Sequence, residues 1–250
     1  SSWWSWGKNN SVNMEINYII KMPITNGVDL NNDYGNIDLD KLEGRAIINC
    51  DYGKITTKEL MAPNNSLTFD YTNNTYFEYI NGGDINADYS GYTVGKAKKL
   101  SINADFSKSE IEIVENITYN CDYGSLKINN ANNVSGNGDY LTLRLGKIYN
   151  NLNLKADYGS IKIGEMTANA GNIEIDSNFN GITIGYNPAY QFKFDIDLEY
   201  ASLRNADNFE FTNKRIDTTD KYYQGYHGDS KSPNLIKIKS EYGSVTFKRN

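Results

Sequence analysis

The sequence predicts an all-β chain wound as a right-handed single-stranded parallel β-helix (β-solenoid) of about ten coils, each 17–19 residues long. Three observations predict it. An acidic-aromatic step recurs at nearly constant spacing. Apolar residues alternate on both sides of each step. The composition favours strands and turns over helices.

The step comes first. Asp33-Tyr34, Asp51-Tyr52, Asp70-Tyr71, Asp88-Tyr89, Asp122-Tyr123, Asp139-Tyr140 and Asp157-Tyr158 share one dipeptide, and Asp105-Phe106 fills the single gap. Glu199-Tyr200 and Glu241-Tyr242 extend the series, with Asp176-Ser177 read as a degenerate member. Successive anchors lie 17 to 19 residues apart as far as 177, then 23 and 42 apart. A fixed period of this length signals stacked structural repeats.

The flanks define each coil. Leu152, Leu154 and Ala156 precede Tyr158, and Leu100, Ile102 and Ala104 precede Phe106. After the step, Ile161 alternates with Ile163, Leu126 with Ile128, and Leu143 with Leu145. Period two is the signature of a strand with one buried face. The parity changes across the step, which implies a bend. Gly35, Gly53, Gly124, Gly159 and Gly243 are expected to supply its backbone freedom. Such a unit is too small to bury its own apolar face and does so by stacking on its neighbours, about 4.8 Å away. The crossover rule gives the right hand. A propeller is excluded because its blades need about 40 residues.

Composition agrees. Apolar residues make up 39% of the chain and aromatics 13%, with 20 Tyr and 21 Gly but only 4 Pro. The net charge of −6 argues against nucleic acid or an anionic membrane as partner. No run of 18 apolar residues is present, so no membrane-spanning helix is expected. The chain opens on Ser1 rather than Met, as a processed form would.

Cys50 and Cys121 each sit two residues before an aromatic anchor, where Ala87, Ala104 and Ala156 also sit. That column faces inward. Four coils separate the two cysteines, roughly 19 Å, beyond the ~7 Å reach of a disulfide. Two buried free thiols are expected.

One domain is expected, with its ends departing from the repeat. Residues 1–24 read as a lead-in strand and cap, 25–204 as the solenoid, 205–234 as an excursion and cap, and 235–250 as a final coil. Open solenoid ends need covering. Trp3, Trp4 and Trp6 at one end, and Tyr222, Tyr223 and Tyr226 at the other, are the candidate caps and surface-binding residues.

Candidate chemistry is sparse. Asp51, Asp70, Asp88, Asp105, Asp122, Asp139 and Asp157 would stack one per coil, which suggests a row of Ca²⁺ sites. The competing reading, which we favour, is that each Asp caps the N–H two residues on in an Asx-turn. The aromatic column either forms an outward ladder or fills the bend; its parity matches the buried residues, which favours filling. The off-repeat acids Glu110, Glu112, Glu115, Asp195 and Asp197 alternate along single strands and read as a solvated face. His227, the one histidine, is expected in a surface loop. No nucleophile elbow, phosphate loop or Cys/His metal spacing occurs, so no catalytic residue and no cofactor are predicted.

The lead-in ending Ile20-Lys21-Met22-Pro23, the Asp-Tyr-Gly-x-Ile repeats and the closing Tyr242-Gly243-Ser244-Val245 resemble a family. It is the bacterial adhesin group of the head GIN domain auto-transporter type, abundant in Bacteroidetes. The resemblance spans roughly 14–247. It implies a β-helix, export to the periplasm, outer membrane or cell surface, and a non-catalytic adhesive or scaffold role toward a protein or surface glycan. It supplies no catalytic residues. Two alternatives stand beside it: a carbohydrate-binding or carbohydrate-processing β-helix, and an envelope-stress component that binds protein through an end or edge. Self-association through solenoid ends is a further expectation.

Overall fold

The computed structural model describes residues 16–250. Trp3, Trp4 and Trp6 lie outside the described residues. The described chain contains strands and no helix, and all twenty strands join one continuous sheet. The first are β1 (Val28–Asp33), β2 (Asn36–Leu39), β3 (Ala46–Asp51), β4 (Lys54–Leu60) and β5 (Asn65–Asp70). Four long strands follow, each turning a corner within its length: β6 (Thr75–Asp88), β7 (Gly91–Asn103), β8 (Lys108–Asn120) and β9 (Ser125–Asp139). Then come β10 (Thr142–Ile148), β11 (Leu152–Asp157), β12 (Ser160–Met166), β13 (Ile173–Asn178) and β14 (Gly181–Tyr186). The last six are β15 (Phe192–Glu199), β16 (Leu203–Arg204), β17 (Glu210–Ile216), β18 (Asp220–His227), β19 (Leu235–Glu241) and β20 (Val245–Arg249).

Pairing is parallel and in register with the sequence repeat. Val28 pairs with Ala46, Thr75 with Tyr92, Gly91 with Lys108 and Lys108 with Ser125. This is a β-solenoid. Its core is a set of inward columns, one residue per coil: Ile48, Leu67, Ile85, Ile102, Tyr119 and Leu154 are all at most 4% exposed. Cys50 and Cys121 occupy the inward column predicted for them, buried and free. Burial raises both thiols, Cys121 to about 12, so neither is a thiolate at neutral pH.

The stacking order departs from the chain order at the C-terminus. β19 pairs with β13 on one side and β15 on the other, and β20 lies between β14 and β16. The final coil is therefore intercalated rather than terminal. It fits because Ile236, Ile238, Val245 and Phe247 repeat the inward pattern of both neighbours, so any coil stacks on any other.

The excursion is an antiparallel hairpin. β18 pairs antiparallel with β15, and β17 antiparallel with β18, so the hairpin covers the edge of the last coil. Tyr223 is buried there, Tyr226 half-buried, and the Tyr222 hydroxyl donates to Asp195 at 3.2 Å. His227 is buried, not in a surface loop: its Nδ1 lies 2.8 Å from the Tyr190 carbonyl oxygen, and its ring packs on Tyr186, Phe192 and Phe209. β18 pairing on β15 turns the alternate residues Tyr223, Gly225 and His227 inward, which a loop reading could not anticipate.

Two further expectations need correction. The described part of the lead-in, residues 16–24, forms no strand, and Ile16, Tyr18, Ile19 and Ile20 are 62% to 88% exposed. Pro23 brings no N–H to a ladder, and a turn closes there through Asn26 N–H to the Pro23 carbonyl. The degenerate anchor is Phe179 rather than Ser177. Ser177 is 1% exposed, while Asn178 continues the acidic column opposite Asp157. A turn at Thr167–Ala170 lengthens that coil, and one at Asn187–Tyr190 lengthens the next.

Candidate functional site

Every coil bends at its aromatic anchor, and the anchor itself takes the left-handed conformation. Tyr34, Tyr52, Tyr71, Tyr89, Phe106, Tyr123, Tyr140, Tyr158, Phe179, Tyr200 and Tyr242 all have φ between 49° and 63°. A large L-residue there costs roughly 1–2 kcal/mol. The following glycines are not the source of the bend, since Gly228 is the one glycine with positive φ among the described residues. They serve close approach instead. A methyl on Gly53 would overlap the Gly35 carbonyl oxygen of the adjoining coil, and one on Gly159 would overlap that of Leu141.

Positive φ swings the anchor side chains outward. The reading that they fill the bend inside is therefore incorrect: most are close to half exposed, and Tyr34 is 80% exposed. Parity from the preceding strand misleads because it assumes extended backbone through the anchor. The rings form one ladder, in spatial order 34, 52, 71, 89, 106, 123, 140, 158, 179, 242, 200. Neighbouring centroids lie 4.7 to 5.1 Å apart, and planes diverge by 9° at most. Each anchor N–H also donates across to the next layer, as Tyr123 does to the Asp139 carbonyl at 2.9 Å and Tyr200 to the Thr219 carbonyl of the hairpin at 2.9 Å.

Stacked rings beyond burial are worth roughly 0.5–1.5 kcal/mol per pair. Tyr123→Ala loses two stacked faces and keeps the backbone strain, so a loss of about 1–3 kcal/mol is expected. Tyr34→Ala, at the end of the ladder, loses one face and about half as much. Chemical denaturation of both variants tests this; equal losses would mean that stacking does not hold the bends.

Two polar columns run beside the rings on the same outward surface. One is the acidic column. Asp70 accepts the Asp88 N–H at 3.0 Å, Asp88 that of Asp105 at 3.1 Å, Asp105 that of Asp122 at 3.1 Å, and Asp122 that of Asp139 at 2.7 Å. Asp157 does the same for Asn178 at 3.1 Å. These carboxylates bridge coils. They do not close Asx-turns within a coil, because the left-handed anchor occupies the turn. Next to them lies a column that the sequence reading missed, although its spacing is visible: Asn31, Asn49, Asn86, Asn103, Asn120 and Asn137, each three residues before an anchor. Asn49 Nδ2 donates to Asn31 at 2.7 Å, Asn120 to Asn103 at 3.0 Å, and Asn137 to Asn120.

The Ca²⁺ reading of Asp51, Asp70, Asp88, Asp105, Asp122, Asp139 and Asp157 meets this geometry. A straight column offers an ion two carboxylates at a time, whereas Ca²⁺ takes roughly six to eight oxygens. Among the described residues, no three His, Cys, Asp or Glu side chains converge as a metal site.

The column has an electrostatic cost. Burial first, then the charges of Asp122 and Asp157, raise the Asp139 carboxyl above its ordinary range. A carboxyl raised on folding contributes stability present below its unfolded pKa and lost as pH rises through the folded value. Asn keeps an acceptor for the Asp157 N–H. Asp139→Asn is therefore expected to raise the melting temperature modestly at neutral pH. The gain should vanish as pH falls below about 4; a gain independent of pH would exclude repulsion as its cause.

Beside the rings, on the far side of the bend, lies a shallow open groove of about 500 Å³, lined in part by Asn73, Asn74, Tyr89, Phe106, Lys108 and Glu110. Lys108 pairs with Glu110 at 2.8 Å, which with its hydrogen bond lowers the Glu110 carboxyl. The Ser90 and Ser107 hydroxyls at its floor each donate to a main-chain carbonyl at 2.8 Å. Of the other off-repeat acids, Glu112 accepts from Asn129, and Asp195 accepts from Gln224 at 3.1 Å besides Tyr222. These acids are tied into neighbouring strands.

Comparison with family models, with curated proteins and with solved structures finds no match to this chain.

Proposed function

We propose that this chain is a non-catalytic adhesin-like or scaffold protein of the bacterial cell envelope, presenting its outward strip to an extended partner. One observation carries the reading: eleven stacked rings, close to half exposed in most coils, run unbroken along the solenoid beside carboxylate and amide columns. Contiguous exposed aromatic surface of this extent marks interaction sites. The rings stack on one another, so they offer edges, and hydroxyls where the ring is Tyr, rather than faces. A single sugar needs a face. An extended protein surface or a polymer lying along the strip can use many edges at once.

The test is retention of chain-coated beads on arrays of envelope proteins, matrix proteins and polysaccharides. Retention on protein surfaces that is lost in the variant Tyr89→Lys/Tyr123→Lys is expected. Retention on polysaccharides alone would favour the carbohydrate-binding alternative. No retention on any surface, or retention indifferent to the variant, would overturn the role of the strip.

A further inference from the structure

Among the described residues, the two ends of the solenoid leave complementary edges open. At the N-terminal end, β1 pairs with β3 only among the described residues. Val28 N–H bonds to Arg45 and Tyr34 N–H to Asp51, so the even-numbered residues face β3. In a parallel ladder the alternate residues Asp29, Asn31 and Asp33 then aim their backbone groups away, at the free edge. Val28 and Leu30, inward residues of this coil, are only partly buried. Among the described residues, one face of the Tyr34 ring has no stacking neighbour.

At the other end β17 is outermost. Among the described residues it pairs with β18 only, and all seven of its residues are exposed, including Phe211 at 39% and Ile216 at 55%. β18 runs antiparallel to β15 and β17 antiparallel to β18, so two reversals return β17 to the direction of the coils. It thus offers its edge with the polarity of one more coil, which is the polarity that β1 requires.

Charge matches as well. β1 exposes Asp29 and Asp33 on its outer face, and neither makes an ion pair among the described residues. β17 exposes Arg215 on the outer face, over the Tyr222 ring, and Lys214 on the opposite face, over Phe211 and Tyr223, and among the described residues neither has a carboxylate partner. Two β1 edges meeting in an isologous dimer would set Asp against Asp; β1 against β17 sets Asp29 and Asp33 on the outer face beside Arg215.

We propose that copies of this chain assemble end to end, the β17 edge of one pairing in parallel with the β1 edge of the next. The partner is a second copy, the contact is heterologous, and the product is an open filament of coaxial solenoids. This assembly does not depend on what the aromatic strip binds.

Sedimentation velocity over a concentration series tests it, using two end-blocked variants. Asp29→Pro removes an outward-facing N–H of β1 and leaves the β3 ladder intact. Lys214→Glu/Arg215→Glu reverses the charge of β17. The wild-type mass should rise with concentration without a plateau. Each variant alone should stay monomeric, and their equimolar mixture should give a dimer and stop, because one good head and one good tail remain. Should Asp29→Pro fail to fold, Asp29→Lys/Asp33→Lys replaces it, and that variant should also restore growth in the Lys214→Glu/Arg215→Glu background. A wild-type chain monomeric throughout overturns the proposal. So does a dimer plateau that either variant still reaches alone. Bead retention through the strip is expected to survive in every end-blocked variant.

Discussion

Truncation after Pro233 is expected to unseat the whole C-terminal cap. The cut removes β19 and β20, and with them the buried Ile236, Ile238, Val245 and Phe247. Full burial of four such side chains is worth on the order of 6–12 kcal/mol. The larger consequence is positional. β19 is the layer through which β15, β18 and β17 are joined to β13, so its loss leaves a gap inside the stack rather than a shorter end. Hydrogen exchange should show the amides of 192–227 at the rate of unfolded chain, while those of 46–157 keep their protection. If 192–227 stayed protected, β15 would have docked directly on β13, and the intercalated coil would be dispensable.

Gly159→Ala is expected to cost about 3 kcal/mol, at the upper end of overpacking effects. Its methyl would overlap the Leu141 carbonyl oxygen, and Ser160 N–H holds that same oxygen at 3.1 Å, so neither coil can yield without breaking a rung. Gly181→Ala is the control. Nothing lies within 4 Å of its added methyl and its φ is not positive, so it should be neutral or stabilising by roughly 0.4–1 kcal/mol through the unfolded chain. Melting curves of the two variants decide. A similar loss in both would mean that general glycine flexibility, not coil-to-coil approach, selects glycine after the anchor.

The contrast between these glycines shows what sequence can and cannot convey here. The period of the acidic-aromatic step, the alternation around it and the inward column of Cys50 and Cys121 follow from side-chain parity, and the structure reproduces them. Parity fails where the backbone leaves the extended region. The anchors at φ near +50° point out although counting places them in, so parity alone assigns their ladder to the interior of the bend. Stacking order is illegible for another reason. The residues Ile236-Lys237-Ile238-Lys239-Ser240-Glu241-Tyr242 have the same pattern as any other coil, and a pattern shared by all positions specifies none. The inward position of His227 is illegible too, because an antiparallel hairpin capping a parallel stack leaves no mark on the repeat.

The intercalated coil also fixes an order of events in folding. From β1 to β14 each layer bonds to one 17 to 21 residues away, so the stack can grow layer by layer behind an advancing chain end, closing a short loop each time. The last layer is different: Ile173 waits for Ile236. A chain delivered N-terminus first must hold the β13 edge open until residues 235–241 arrive, and an open edge is a template for pairing with other chains. The slow, vulnerable interval in the life of this molecule runs from the delivery of β13 to that of β19, and a chain that stops between them keeps that edge exposed.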